Sequence, residues 1–200
     1  MLKSIKQNQS QSIFFFLVAI ISLILGVTSD FTTPYLRYDS QAISQQYEIW
    51  RLFSANIIHL GWSHLFLNLA GLLLIYVFFS SCLATRYWIF TFFSCGIAIS
   101  LFVLIFNPEI RWYVGLSGVL HSLFILGGIA DIRVRKWEGI SFTLIVIIKV
   151  VYEQIAGPLP GSEDAAGGPV LVDAHFYGVI LGILIAVPIV LNQKRKKQNS

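Results

Sequence analysis

The sequence predicts an all-α integral membrane protein: a single domain over residues 1–200 in which six helices cross the bilayer as one bundle. Composition is the first ground. Apolar residues make up 56% of the chain and charged residues 12%, where a water-facing domain carries about 25% charged residues. The mean hydropathy of +0.74 agrees. The second ground is a set of six apolar runs, most of them close to the ~20 residues that cover a hydrocarbon core about 30 Å thick. The third is where the charges fall. The formal net charge is +4, but the basic residues flank apolar runs and form no stripe, so the lipid bilayer is the partner and nucleic acid is not.

The first run, 13–29, follows Lys3 and Lys6. A basic start and an apolar middle also describe a signal peptide, but no Ala-x-Ala cleavage site follows, so a retained first helix is expected. The later runs are 64–83, 88–106, 116–130, 140–155 and 172–191. Six spans put both termini on one side. The tail Lys194-Arg195-Lys196-Lys197 makes that side cytoplasmic, and Arg86, Arg133, Arg135 and Lys136 fall on it as well. The opposite loops hold Asp30, Asp39, Glu48, Glu109, Glu163 and Asp164. The long outer loop, 30–63, contains Tyr35, Tyr38, Tyr47, Trp50 and Trp62, and is expected along the outer leaflet with Trp50 and Arg51 anchored at the headgroups. The last outer loop, 156–171, contains Gly157-Pro158-Leu159-Pro160-Gly161 and Gly167-Gly168-Pro169. These runs cannot be helical and predict a movable cap beside the fifth helix. Cys82 and Cys95 sit in apolar surroundings as buried thiols, with no sign of a disulfide framework or a zinc site.

Polar side chains inside the hydrocarbon need a partner, water or a task. The second helix opens with His64 and Asn68, four apart and so on one face. Ser117 and His121 share a face of the fourth helix in the same way. The sixth opens with Asp173-Ala174-His175, followed by Gly178 and Gly182. All three openings lie at one depth on the outer side. The fourth helix, about 15 residues and ~23 Å long, recesses its N-terminus and opens a wet cavity with Ser117 at its floor. A serine attacks a carbonyl when a neighbouring base takes its proton, and His175 is the candidate base. The unsatisfied N–H groups at the start of the fourth helix, including that of Ser117, point at a developing oxyanion, and His64 and Asn68 add side-chain donors. Gly178 and Gly182 let two helices approach closely. Lys149 and Glu153, one turn apart in the fifth helix, read as a structural ion pair. Asp173 points to a different face from His175 and is not read as a triad acid.

Together these residues resemble the rhomboid family of intramembrane serine proteases. The matching pieces are Trp50-Arg51, His59 five residues before His64, the pair His64 and Asn68, the turn Gly115-Leu116-Ser117-Gly118, and Ala174-His175 with Gly178 and Gly182. They follow the family's order over essentially the whole chain. The resemblance implies a rhomboid-like six-helix bundle and a Ser117–His175 dyad without a required carboxylate. It implies an oxyanion site at His64, Asn68 and the Ser117 amide, with His121, Gly115, Gly118 and Gly178 in support. It also implies endopeptidase cleavage of single-pass membrane proteins near the outer end of their transmembrane segment, with no metal or organic cofactor. The chain departs from many bacterial rhomboids in carrying His121 where a tyrosine stacks on the catalytic histidine; the sequence leaves open whether His121 stacks or hydrogen-bonds. His121, Tyr152-Glu153-Gln154, the Gly-Pro-Leu-Pro-Gly loop and Asp173-Ala174-His175 resemble the rhombosortase branch. That resemblance implies a bacterial inner membrane location and clients ending in a Gly-Gly motif, one helix and a basic cluster.

Blander readings stand beside these. One such reading has Asn68 only tying helices by hydrogen bonds and His59 fixing the loop above the cavity. A zinc or iron site built from His64, His121 and His175 leaves the serine turn unexplained. A transporter needs polar groups deeper in the bilayer than these. An inactive relative that binds clients without cutting them is disfavoured, because every catalytic position is filled in this chain. A soluble esterase is excluded, because Gly-Leu-Ser-Gly-Val lacks the Gly-x-Ser-x-Gly elbow and no strand precedes it. Oligomeric state is not written in the sequence.

Overall fold

A computed structural model describes the backbone of residues 2–198 and the side chains of residues 9–192. Lys3, Lys6 and the basic tail 194–197 therefore have side chains outside the described residues. The long helices are α1 (Leu2–Val27), α5 (Trp62–Phe79), α6 (Thr85–Phe106), α7 (Ser117–Asp131), α8 (Lys136–Ala156) and α10 (Val172–Gln198). Between them lie α2 (Ser29–Leu36), α3 (Ser40–Gln46), α4 (Arg51–Ser54) and α9 (Ser162–Ala166), and the short strands β1 (Tyr38–Asp39) and β2 (Trp112–Tyr113).

Among the described residues, five helices are long and apolar enough to cross a membrane, and α7 is the shorter apolar sixth. The chain is thus an all-α, multi-pass membrane bundle. The bounds differ from the sequence reading chiefly at helix ends. Polar first turns extend α1 back to Leu2 and α8 back to Lys136, because hydropathy stops where lipid stops while backbone hydrogen bonding continues.

Helix α7 sits at the centre. Eleven of its 15 residues are buried, against five of the 18 in α5, so the residues at its start are remote from lipid. Small residues permit this placement. A Cβ on Gly178 of α10 would collide with the carbonyl oxygen of Gly118, and one on Gly182 would come 2.8 Å from that of Ser122. A Cβ on Gly127 would meet the Phe79 ring at 2.7 Å. Outside this packed centre, Phe16, Leu73, Ile145, Ile148 and Leu184 are exposed on the flanks, as lipid contact requires.

The long loop is more ordered than an interfacial strap. Its strand β1 pairs antiparallel with β2, Tyr38 opposite Tyr113 and Asp39 opposite Trp112. Asp39 caps α3 by accepting from the N–H groups of Gln41 and Ala42. Arg51 does not reach for headgroups, which corrects the sequence reading. It is buried, and its guanidinium donates to the carbonyls of Pro34 (3.0 Å) and Arg37 (2.9 Å) and to Glu48 (2.5 Å). A side chain with five donors is better spent on loop carbonyls that would otherwise be buried unpaired. Trp50 is half exposed and donates its indole N–H to Tyr35 O. In the last loop the two glycine–proline runs are non-helical, and the five residues between them form α9, bracketed by Gly161 and Gly167 in left-handed conformation. Ser63 at the start of α5 hydrogen-bonds the carbonyl of Ala165, strapping α9 over the top of α5.

Candidate active site

The starts of α5, α7 and α10 and the end of α8 surround one cavity of about 360 Å³, lined by His64, Asn68, Ser117, His121, Lys149, Glu153 and His175 among others. Residues of the last loop, including Leu159, Ala166 and Pro169, line it from above.

Ser117 is the first residue of α7. Its position is fixed from the loop side. β2 leads into Val114 and Gly115, the Gly115 N–H donates to Ala55 O at 2.9 Å, and the Tyr113 hydroxyl meets Ser100 Oγ at 2.5 Å. Gly115 has φ +130°, a conformation that favours glycine, and a Cβ there would come 2.7 Å from His64 Cε1. The turn before the serine and the histidine of α5 are therefore packed against each other. At the helix start, the N–H groups of Ser117 and Gly118 have no intrahelical acceptor, while Leu120 N–H already reaches Leu116 O at 2.9 Å.

His175 is the fourth residue of α10 and is 4% exposed. Its Nε2 is 2.9 Å from Ser117 Oγ. The approach follows from the small-residue contact, since α7 and α10 meet through Gly118, Ala174 and Gly178. The rings of His121 and His175 stack, with centroids 4.2 Å apart and an interplanar angle of 22°. His121 also hydrogen-bonds: its Nδ1 is 2.7 Å from Ser117 O and its Nε2 is 2.9 Å from Lys149 Nζ. The alternative left open by the sequence resolves into both.

His64 and Asn68 face the same cavity. The Leu60 N–H donates to His64 Nδ1 at 3.4 Å, leaving Nε2 to carry the proton of a neutral ring, beside Gly115. Asn68 is buried and donates from Nδ2 to His64 O at 3.0 Å, a bond within its own helix that leaves the second amide hydrogen free. His59 stands apart, edge-on to His64 with centroids 5.1 Å apart and neither ring nitrogen partnered among the described residues. Burial, and after it the neighbouring His64, pull the His59 imidazole down to about 3, so it stays neutral. Asp173 accepts from Asn107 Nδ2 at 2.8 Å.

The acid that does touch His175 comes from α8. Glu153 Oε2 lies 2.8 Å from His175 Nδ1 and 2.7 Å from Lys149 Nζ. The expected i,i+4 pair is present, but its contact with the histidine was missed. The available signal was two charges inside an otherwise apolar span, which in a membrane marks a functional position by default. The ligating atoms of His121, Glu153 and His175 lie within 4.8 Å of one another. Lys149 Nζ is 2.9 Å from His121 Nε2, 2.7 Å from Glu153 Oε2 and 3.0 Å from His175 Nδ1, so a metal ion there would meet an ammonium.

A hydroxyl, an imidazole positioned to take its proton, and a cluster of donors around one cavity suit acyl transfer. A family model described as the Rhomboid domain matches residues 46–192, which includes every cavity residue named above. No curated protein matches the sequence.

Proposed function

The chain belongs to the rhomboid family, and from that premise we propose that it is an endopeptidase using Ser117 as nucleophile and His175 as base. Intramembrane serine protease activity comes with the family; the residue roles are the proposal. The observation that carries them is the 2.9 Å contact between Ser117 Oγ and His175 Nε2.

In this mechanism Ser117 Oγ attacks the scissile carbonyl and its proton passes to His175 Nε2. The carbonyl oxygen becomes an oxyanion, held by the Ser117 amide, His64 Nε2–H and the free hydrogen of Asn68. Collapse breaks the C–N bond, and the Nε2 proton leaves with the amine. Water then attacks the acyl-enzyme, giving up a proton to His175, and release of the acid restores the Ser117 hydroxyl. Gly115 and Gly118 serve by geometry, one admitting the His64 ring and the other the α10 backbone.

The cavity lies at the end of the bundle that holds the long loops, away from Arg86, Arg133, Arg135 and Lys136. With basic loops kept inside, both termini are cytoplasmic and the site faces outward, in a bacterial inner membrane. The substrates are then single-pass membrane proteins cut near the outer end of their helix. The rhombosortase-like features, His121 and the Gly-Pro-Leu-Pro-Gly loop among them, favour clients carrying Gly-Gly, a helix and a basic tail. Co-expression with such clients and with ordinary single-pass helices, and mapping of cuts by mass spectrometry, tests this. Cuts at or beside the Gly-Gly site that vanish in Ser117→Ala are expected. Cutting that persists in Ser117→Ala overturns the residue assignment, and equal cutting of both client sets overturns the client class.

A further inference from the structure

The hydrogen bonds around α8 fix which ring nitrogen carries the hydrogen in His121 and in His175. Ser117 O is a carbonyl and only accepts, so His121 Nδ1, 2.7 Å away, must carry a hydrogen. His121 Nε2 in a neutral ring then accepts, and its donor is Lys149 Nζ at 2.9 Å. Lys149 also donates to Glu153 Oε2 at 2.7 Å, which fixes Glu153 as the anion of the pair. A carboxylate oxygen 2.8 Å from His175 Nδ1 requires a hydrogen between them, and only the imidazole can supply it. With Nδ1 protonated, Nε2 of neutral His175 is an acceptor, and its donor is the Ser117 hydroxyl. The 3.0 Å between Lys149 Nζ and His175 Nδ1 is the separation of two donors that share one oxygen.

We infer that Glu153, its charge balanced by Lys149, completes a Ser117–His175–Glu153 relay as a positioning residue, where the family resemblance implies only a dyad. The inference rests on the serine–histidine reading above. Its content is the tautomer. Were the proton of His175 on Nε2, the ring could not take one from Ser117; Glu153 holds it on Nδ1. When Nε2 gains the serine proton, the imidazolium faces a carboxylate across 2.8 Å. Glu153 is not itself protonated, in the manner of the buried aspartate of soluble serine proteases. Lys149 makes this feasible inside a bilayer, because a lone carboxylate that is 1% exposed would be expensive to desolvate, while the pair is neutral. His121 accepts a second ammonium hydrogen and stacks on His175, so the charged groups facing that ring are Lys149 and Glu153 of α8, with neutral His121 of α7 and His64 of α5 across the cavity.

The test measures labelling of Ser117 by a fluorophosphonate probe on purified full-length protein in detergent, resolving the maximal rate from the probe concentration at half-rate, alongside the thermal midpoint. Glu153→Gln keeps the shape, but its amide can turn NH₂ toward Nδ1 and select the wrong tautomer. Its maximal rate is expected to fall about 100-fold or more, with half-rate concentration and midpoint little changed; the comparable change in a soluble triad costs ~10⁴-fold. Glu153→Asp should recover part of the loss. The neutral double variant Lys149→Gln with Glu153→Gln leaves no unbalanced charge, so it tests the same point even where the single variant folds poorly, and it too should label slowly. Labelling within about threefold of wild type in either Gln variant overturns the relay while leaving the protease reading intact. Wild-type labelling that survives Ser117→Ala overturns the underlying reading instead.

Discussion

Asp131, at the end of α7, and Glu153, near the end of α8, are both buried carboxylates with a base four residues away in the chain. In sequence they are the same feature. In the bundle they differ in what else touches the acid and where the base goes. Asp131 Oδ1 takes Arg135 Nε at 3.0 Å and the Cys82 thiol at 3.3 Å, while Arg135 also donates to Phe78 O at 2.7 Å. Those contacts join the ends of α5 and α7, and Arg135, 42% exposed, keeps its head at the surface. Lys149 is 25% exposed and turned into the cavity, where its pair meets two imidazoles and, through them, Ser117. One pair staples helix ends. The other supplies an electrostatic environment to a hydroxyl. An i,i+4 acid–base pair in a membrane segment therefore says little until its third partner is known.

Predictions can break this contrast or sharpen it. The largest effect belongs to Ser117→Ala and His175→Ala, each expected to lower cleavage by about 10⁴-fold or more, as removal of either nucleophile or base does in soluble serine proteases. The folded bundle should survive, read as an unchanged unfolding midpoint. Next is the opposite end. Arg135→Met leaves the Asp131 carboxylate buried without its counter-charge, a loss of about 3 kcal/mol of stability. Unfolding titrations in mixed detergent should show that loss, while cleavage per folded molecule stays at the wild-type rate. A slowed rate in folded Arg135→Met would falsify the division of labour between the two pairs. Smaller again are His64→Ala and Asn68→Ala, each expected to slow turnover by about 10–1,000-fold, the range for removing one oxyanion donor. Single-turnover cleavage measures it, and unaltered rates in both variants would remove them from the oxyanion site.

The frame of the bundle was legible because its causes are local. Apolar runs, flanking bases and the four-residue spacing of small and polar side chains all act within one helix, and the short span before Ala130 already suggested a recessed serine. The Ser117–His175 contact was legible for a related reason: Gly118, Gly178 and Gly182 are where two backbones must meet. What could not be read were contacts set by topology. Nothing in the order of residues pairs Tyr38 with Tyr113, and that ladder is what ties the long loop to the serine turn. Arg51 lies beside Trp50 in a segment rich in aromatics, so an interfacial anchor was the local reading; its buried bonds to Pro34 and Arg37 depend on how the chain doubles back. Glu153 was legible as the partner of Lys149 but not as the partner of His175, for the same reason. A partner four residues away accounts for its charge locally, whereas the ring 22 residues along the chain is brought to it only by the packing of α8 against α10.

The smallest expected effect is at His121. A tyrosine there keeps an aromatic ring against His175, where the imidazole now stacks at 4.2 Å, and its phenol oxygen can accept from Lys149 in place of Nε2. What it gives up is the Nδ1–H bond to Ser117 O. That carbonyl retains the regular helical bond from the N–H of residue 121, so one hydrogen bond of about 1 kcal/mol is at stake and turnover should stay within about tenfold of wild type. His121→Ala removes both the stack and the acceptor, freeing Lys149 to swing off Glu153, and should be slower than His121→Tyr. Turnover numbers for the two variants, measured on one client, decide the matter. If tyrosine is as damaging as alanine, the ring nitrogen itself handles a proton, and the cluster on α8 reaches the serine by a second route.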